Sequence, residues 1–238
     1  MSDVIKKYPI SEIFTSIQGE GRWAGTVMTF IRFAGCCVGK KFTDEEKEQQ
    51  PHLYLLPVYM EKCTTWDGRS FECDTDYRTK EVLTVKQIVD RIPQNVGRVC
   101  ITGGEPLIHD MTPLFLALLS QGKNIHIETS GTRHIREAFP QFTDFRFKFW
   151  VAVSPKFTCL DSMAHLADEV KFLVDKDFDY QKAMYLFARK DNWPDIYLQP
   201  VNFENTVNND NLALVKDLVN KYPYLKVSIQ LHKILGVR

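Results

Sequence analysis

From residue 98 to residue 232, segments of strand character alternate with segments of helical character. This alternation restricts the fold more than any other feature of the chain. RVCITGGEP holds an apolar run (99–101) halted by Gly103-Gly104, and MTPLFLALLSQG carries Pro113 in its first turn and Gly122 beyond its end, as helices do. NIHIETSG, FWVAVSPK, EVKFLV, DIYLQPV and LKVSIQLH read as strands, and TRHIREAF, DYQKAMYLFARK and NDNLALVKDLVNKY as helices. Upstream, TVMTFIRFAG (26–35) is a further strand, and LTVKQIVDRI (83–92) has apolar residues at helical spacing. Such an order builds βα units around a parallel sheet. About six units can be counted, short of the eight of a closed barrel, so the expected α/β fold is an open doubly wound sheet or an incomplete barrel.

With 238 residues, 44% of them hydrophobic, the chain can bury one sizeable core, and it is read as a single domain over 1–238. Lys and Arg (30) balance Asp and Glu (30), which argues against a general nucleic-acid binder or a membrane-surface protein. The start, MSDVIKKYPISEIF, has no apolar signal region, and no uncharged stretch approaches the roughly 18 residues that span a bilayer, so a cytoplasmic protein is expected. Residues 38–72 carry no clear period and read as an insertion; a stretch this long inside a compact domain is functional or disordered.

In parallel α/β folds chemistry gathers at the carboxyl ends of strands. Those ends here carry Cys36 and Cys37, then Thr102-Gly103-Gly104-Glu105-Pro106, then Glu128, Thr129, Ser130 and Gly131, then Ser154, Pro155 and Lys156, then Gln199 and Pro200. Small, polar or charged residues at every strand end point to an enzyme. The cysteines sharpen this. Neighbouring side chains on a strand point to opposite faces, so Cys36 and Cys37 do not readily serve one metal together. Structural zinc favours four ligands in tight pairs, and no Cys-x-x-Cys pair exists. Three thiolates from Cys36, Cys63 and Cys73 around an iron–sulfur cube would leave one iron open. Cys100, inside a strand, and Cys159 read as packing thiols, and His109, His126, His134 and His165 are assigned no role.

RFAGC, CDTDY, TGGEP, ETSG, SPK and LQP, with EIFTSIQGEG before them and QLHK near the end, together resemble a known family, the radical S-adenosylmethionine (SAM) enzymes that are 7-carboxy-7-deazaguanine synthases. A lone GGEP would indicate only the radical SAM superfamily; SIQGEG with CDT and ETSG in this order is far more specific. The resemblance implies a modified, incomplete (β/α) barrel with an inserted cluster-binding segment at about 38–72, working as a homodimer. It implies conversion of 6-carboxy-5,6,7,8-tetrahydropterin to 7-carboxy-7-deazaguanine with loss of ammonia, on the way to queuosine in tRNA and other deazapurines, with no nucleic acid touched. The implied cofactors are a [4Fe-4S] cluster on Cys36, Cys63 and Cys73, SAM, and Mg2+ at Thr75; an electron donor such as flavodoxin would reduce the cluster. SAM would be bound by Gly103, Gly104, Glu105, Glu128, Ser130, Ser154, Lys156 and Gln199. The pterin would be bound by Ile17, Gln18, Glu20, Arg32, Thr102 and Arg238, with His232 in the tail closing nearby. No residue beyond the cofactor chemistry is named catalytic.

The sequence departs from the family at one place. Radical SAM enzymes commonly show Cys-x3-Cys-x2-Cys, but the position three before Cys73 is Ser70. Cys63 is the favoured second ligand, with Cys37 and Ser70 as alternatives. The rival functional readings are another radical SAM reaction, such as glycyl-radical activation, or a metal-binding protein without activity on the same scaffold.

Overall fold

The structure, a computed structural model, describes residues 6–41, 43–49, 61–73, 75–140, 149–185, 193–202 and 207–237. Among these, the strands β1 (Lys7–Ile17), β2 (Val27–Phe33), β6 (Glu81–Thr84), β7 (Arg98–Gly103), β8 (Asn124–Thr129), β9 (Phe149–Val153), β10 (Glu169–Val174), β11 (Asp195–Pro200) and β12 (Leu225–Val227) form one sheet in the order β12-β11-β10-β9-β8-β7-β2-β1-β6. β2 and β7 through β12 run parallel, and β1 lies antiparallel between β2 and β6. Among the described residues no strand pairing closes this sheet into a barrel. A second sheet of β3 (Lys40–Lys41), β4 (Glu61–Thr64) and β5 (Ser70–Glu72) is antiparallel and lies within the segment read as an insertion, with helix α1 (Asp44–Gln49) between β3 and β4.

The period of two along the strands divides the main sheet into two unlike faces. Val99 and Ile101, Ile125 and Ile127, Val170 and Phe172, and Ile196 and Leu198 belong to the large apolar core. That core packs with α2 (Val85–Val89), α3 (Thr112–Ser120), α4 (Ile135–Ala138), α5 (Asp161–Leu166), α6 (Tyr180–Tyr185) and α7 (Asn209–Lys221). The alternate positions (Arg32, Cys100, Thr102, His126, Glu128, Lys171 and Gln199) face the other way. Below them Met28, Phe30 and Cys100 form a small separate cluster with Phe14 and Trp23. Among the described residues no helix is long and apolar enough to cross a membrane.

Several elements differ from the sequence expectation. β1 reads poorly because a bulge between Ile10 and Glu12 shifts its register and breaks the alternation. In LTVKQIVDRI only 85–89 is helical: Leu83 and Thr84 end a strand, and Thr84 caps the helix through Gln87 in a capping box. LKVSIQLH is a strand only to Val227, and a short helix, α8 (Leu231–Leu235), begins inside it.

The glycines after β7 have a reason within the fold. Gly103 has φ +132 and lies against Phe33, and a Cβ on Gly104 would sit 1.9 Å from the Gly35 carbonyl oxygen. Gly104 and Glu105 donate their N–H groups to Phe33 and Gly35 at 3.2 and 3.0 Å. The end of β7 thus presses on the loop that begins at Gly35 and carries Cys36. Gly104→Ala should lower stability by roughly 2 kcal/mol or more, because the obstructing atoms are backbone. Gly97→Ala, with nothing within 4 Å of the added Cβ, is the control. Chemical denaturation of both variants checks this; equal stability would show that the contact relaxes freely.

Candidate active site

At the carboxyl edge of the sheet lies a cavity of about 1040 Å3. That is at or above the upper end of the roughly 300–1,000 Å3 typical of ligand pockets, and leaves room for two small molecules. Its lining includes Ile17, Gln18, Glu20, Arg32, Cys36, Cys63, Cys73, Thr75, Thr102, Gly103, Gly104, Glu128, Ser130, Ser154, Lys156 and Gln199. Sites spread over more than 180 residues of sequence therefore meet in one place. Glu105 does not line the cavity, and Arg238 lies outside the described residues.

Three local arrangements bring the thiols to this cavity. The Gly35 N–H donates to the Tyr77 carbonyl at 2.9 Å, tying the loop that holds Cys36 to the segment after Cys73. In the β4–β5 hairpin Cys63 is paired across the strands with Phe71. Paired residues share a face, and so do residues two apart, which puts Cys63 and Cys73 on the same side as diagonal neighbours. Of the nine intervening residues, 65–69 form the turn of this hairpin. Its tip is anchored: Trp66 is buried against Phe172, and Arg69 bonds Asp67 at 2.9 Å and also Asp175 across the fold. Ser70 pairs with Thr64, out of phase with Cys63 along the hairpin, and it too lines the cavity. Cys37 is exposed, 3.3 Å from the Thr132 hydroxyl, and does not line the cavity. Burial, partly offset by the N–H groups of Val38 and Gly39, pushes the Cys36 thiol up. A metal would have to displace that proton.

The floor is a buried charge network whose centre the sequence reading missed. Lys171 sits mid-strand in the apolar run EVKFLV, and a lysine there was the signal. Its ammonium is 2.8 Å from Glu20 Oε2 and 3.5 Å from Glu128 Oε1, with the side chain 7% exposed. Gln199 Nε2 and Gln230 Nε2 each donate to Glu20 Oε1 at 3.1 Å. Gln18 Nε2 and the Thr102 hydroxyl donate to Glu128 at 3.0 Å, and Gln18 Oε1 accepts from the Glu20 N–H. Burial alone would raise both carboxyls. That effect is the largest single one, but the Lys171 charge and the hydrogen bonds around each carboxylate together outweigh it, so Glu20 is lowered and Glu128 is held at about 2. Burial opposes the Lys171 charge too, but the surrounding carboxylates raise its affinity for the proton.

Cys100, His126 and Glu128 bring ligand atoms within 4.8 Å of one another. The partners of Glu128 argue against a cation there. Gln18 and Thr102 already bond the Glu128 oxygens, and the Lys171 ammonium lies beside them. His126 is fully buried, with Nε2 4.0 Å from Glu128 Oε1; neither ring nitrogen finds a hydrogen-bond partner among the described residues, and burial holds its imidazole down at about 4, hence neutral.

At the other end Glu105 is fully buried and accepts from the Leu107 N–H, the Thr129 hydroxyl, and the Ser130 N–H and hydroxyl. Its carboxylate fixes Ser130 rather than facing the cavity. Lys156 bonds the Ser154 hydroxyl at 3.3 Å and lies over the Phe71 ring of the hairpin, 5.4 Å from its centroid. Arg32 lines the cavity and pairs with Glu12 at 3.3 Å, and its buried Nε finds no hydrogen-bond partner among the described residues. His232, from α8, packs on Gly19 and lines the mouth.

No family model matches the chain. Among curated proteins it is 33% identical over 235 residues to the 7-carboxy-7-deazaguanine synthase of Synechocystis sp., covering 97% of this chain and 94% of the relative. It is 30% identical to that of Bacteroides thetaiotaomicron, covering 96% and 98%, and 29% identical to that of Escherichia coli K12, covering 97% and 99%. The crystal structure of QueE from Escherichia coli superposes with a TM-score of 0.67 at 27% identity, covering 95% of each chain.

The buried histidine gives a pH signature. Between pH 6.5 and about 4 the unfolded chain takes up a proton at His126 that the native protein excludes. Stability therefore falls as pH falls through this window, by on the order of 3 kcal/mol in all. Glu128 adds its own loss only below about 4.5, as pH falls toward its native value of about 2. Urea denaturation across the window should show the slope, and His126→Leu should flatten it; equal slopes would remove His126 as the cause.

Proposed function

The chain belongs to the 7-carboxy-7-deazaguanine synthase family, and from that membership we propose that it is a radical SAM lyase. In this reading it converts 6-carboxy-5,6,7,8-tetrahydropterin to 7-carboxy-7-deazaguanine, with release of ammonia, in queuosine and deazapurine biosynthesis. The observation that carries the reading is that three thiols far apart in sequence line the same cavity as the polar groups suited to a pterin. Glycyl-radical activation and a non-catalytic role both fall away with the family membership.

Cys36, Cys63 and Cys73 would hold a [4Fe-4S] cluster; three soft thiolates on one wall suit iron and leave one iron without a protein ligand. When bound, the cluster supplies the electron that cleaves SAM, and this chemistry is the cofactor's own. Gly103, Gly104, Ser130, Ser154, Lys156 and Gln199 would line the SAM side, with Glu105 acting through Ser130, while Glu128, expected there too, bonds Gln18 and Thr102 beside Lys171 and falls to the pterin side. Arg32 would hold the pterin carboxylate as a planar fork. Thr75 would offer a hard oxygen to Mg2+, which takes its other positions from substrate and water. Ile17, Gln18, Glu20 and Thr102 would contact the pterin ring, while Lys171 holds Glu20 ionised as an acceptor. A homodimer, a flavodoxin-like electron donor and a cytoplasmic setting complete the reading.

Anaerobically reconstituted protein given SAM, Mg2+, a reductant and 6-carboxy-5,6,7,8-tetrahydropterin should yield the deazaguanine acid and ammonia. SAM cleavage without product would overturn the reading. Cys63→Ala should lose the brown cluster chromophore while Ser70→Ala keeps it; a full cluster in both would reassign the second ligand. Glu20→Ala should reduce pterin turnover by roughly tenfold or more with little change in uncoupled SAM cleavage, and equal losses would place Glu20 elsewhere.

A further inference from the structure

We propose that Lys171 is a positioning residue for substrate recognition: by sharing one ammonium between Glu20 and Glu128, it arranges them as a paired acceptor for two adjacent N–H groups of a 2-amino-4-oxopyrimidine edge. The inference rests on the pterin reading above and names the edge that this end of the cavity selects.

Counting bonds carries the argument. A carboxylate accepts about four hydrogen bonds. Among the described residues, Glu20 Oε1 takes two, from Gln199 and Gln230, and Oε2 takes one from Lys171, leaving one direction on Oε2. Glu128 Oε1 takes Gln18 and the Lys171 ammonium, and Oε2 takes Thr102, again leaving one direction. Both carboxylates line the cavity, and a single ammonium lies between them. Two spare acceptors, on carboxylates that share one ammonium and line one cavity, match two neighbouring donors, the ring N–H and the exocyclic amine. A 2-oxo ring would set a carbonyl oxygen against a carboxylate, leaving both without a proton between them.

Without Lys171 the buried carboxylates would repel each other, and burial would favour a shared proton. One acceptor would then become a donor, and the discrimination would weaken. Other charged or titratable groups near the pair are Arg32 on β2, Cys100 on β7, His126 on β8, Glu169 on β10, and His232 and Lys233 on α8. Burial raises Glu169, but its carboxylate accepts from the Arg22 N–H and does not line the cavity. His126, held at about 4, stays neutral at neutral pH.

The test is equilibrium binding of 6-carboxypterin and its 2-oxo analogue to the reconstituted, SAM-loaded protein, from about pH 5.5 to about 7.5, a range above the usual carboxylate values. The unmodified protein should prefer the 2-amino compound, with affinity flat across the range. Lys171→Met should bind it roughly ten- to a hundredfold more weakly, lose most of the preference over the 2-oxo compound, and bind better as pH rises. A variant with unchanged affinity and preference would overturn the proposal. Should Lys171→Met fail to fold, the unmodified protein decides: flat affinity supports the ionised pair, and affinity climbing with pH overturns it. A protein that shows this selectivity yet never forms product would defeat the functional reading while leaving the carboxylate pair in place.

Discussion

The site depends on two backbones meeting where no side chain fits. Gly103 and Gly104 lie against Phe33 and Gly35, and the N–H groups after β7 are satisfied by carbonyls of the neighbouring loop. That contact fixes the start of the loop bearing Cys36 at the rim of the sheet. The same loop is tied through Gly35 to Tyr77, so the segment carrying Cys73 is held beside it. The glycines of the TGGE motif are thus explained first by chain packing, and their closeness to a ligand is a consequence of where the packing leaves them.

The opposite end is governed by charge. One lysine, two carboxylates and several amides gather on the cavity face of the sheet, opposite the face that carries Val, Ile and Phe. A lone buried charge would be costly, and this one is tolerated because each charged group has a counter-charge or hydrogen bonds. The network also joins distant segments: Glu20 follows β1, Lys171 lies on β10, Gln199 ends β11 and Gln230 precedes α8. A change in any of them is therefore felt at the others, which makes the floor of the cavity a single unit.

Much of this was legible in the sequence because βα alternation delivers strand ends to one rim, and the rim residues were polar in strand after strand. The residues brought together are mainly those read from the motifs. What escaped depended on register or on three-dimensional neighbours. β1 was hidden by its bulge. The antiparallel hairpin made Cys63 and Cys73 neighbours by cross-strand pairing, which a spacing rule written for a loop does not describe. Glu105 looks like a ligand-binding carboxylate in sequence, yet its oxygens are used by Thr129 and Ser130. Lys171 was overlooked because a charged residue within an apolar run reads as an edge position until both faces of the strand are known to be covered.

The proposed function requires that the thiols of Cys36, Cys63 and Cys73 hold one cluster with an iron open to SAM. Electron paramagnetic resonance of the anaerobically reduced protein, recorded before and after adding SAM, tests it most directly. The account predicts a reduced-cluster signal whose g values shift when SAM binds the open iron. A signal untouched by saturating SAM, or no cluster signal at all, would contradict it.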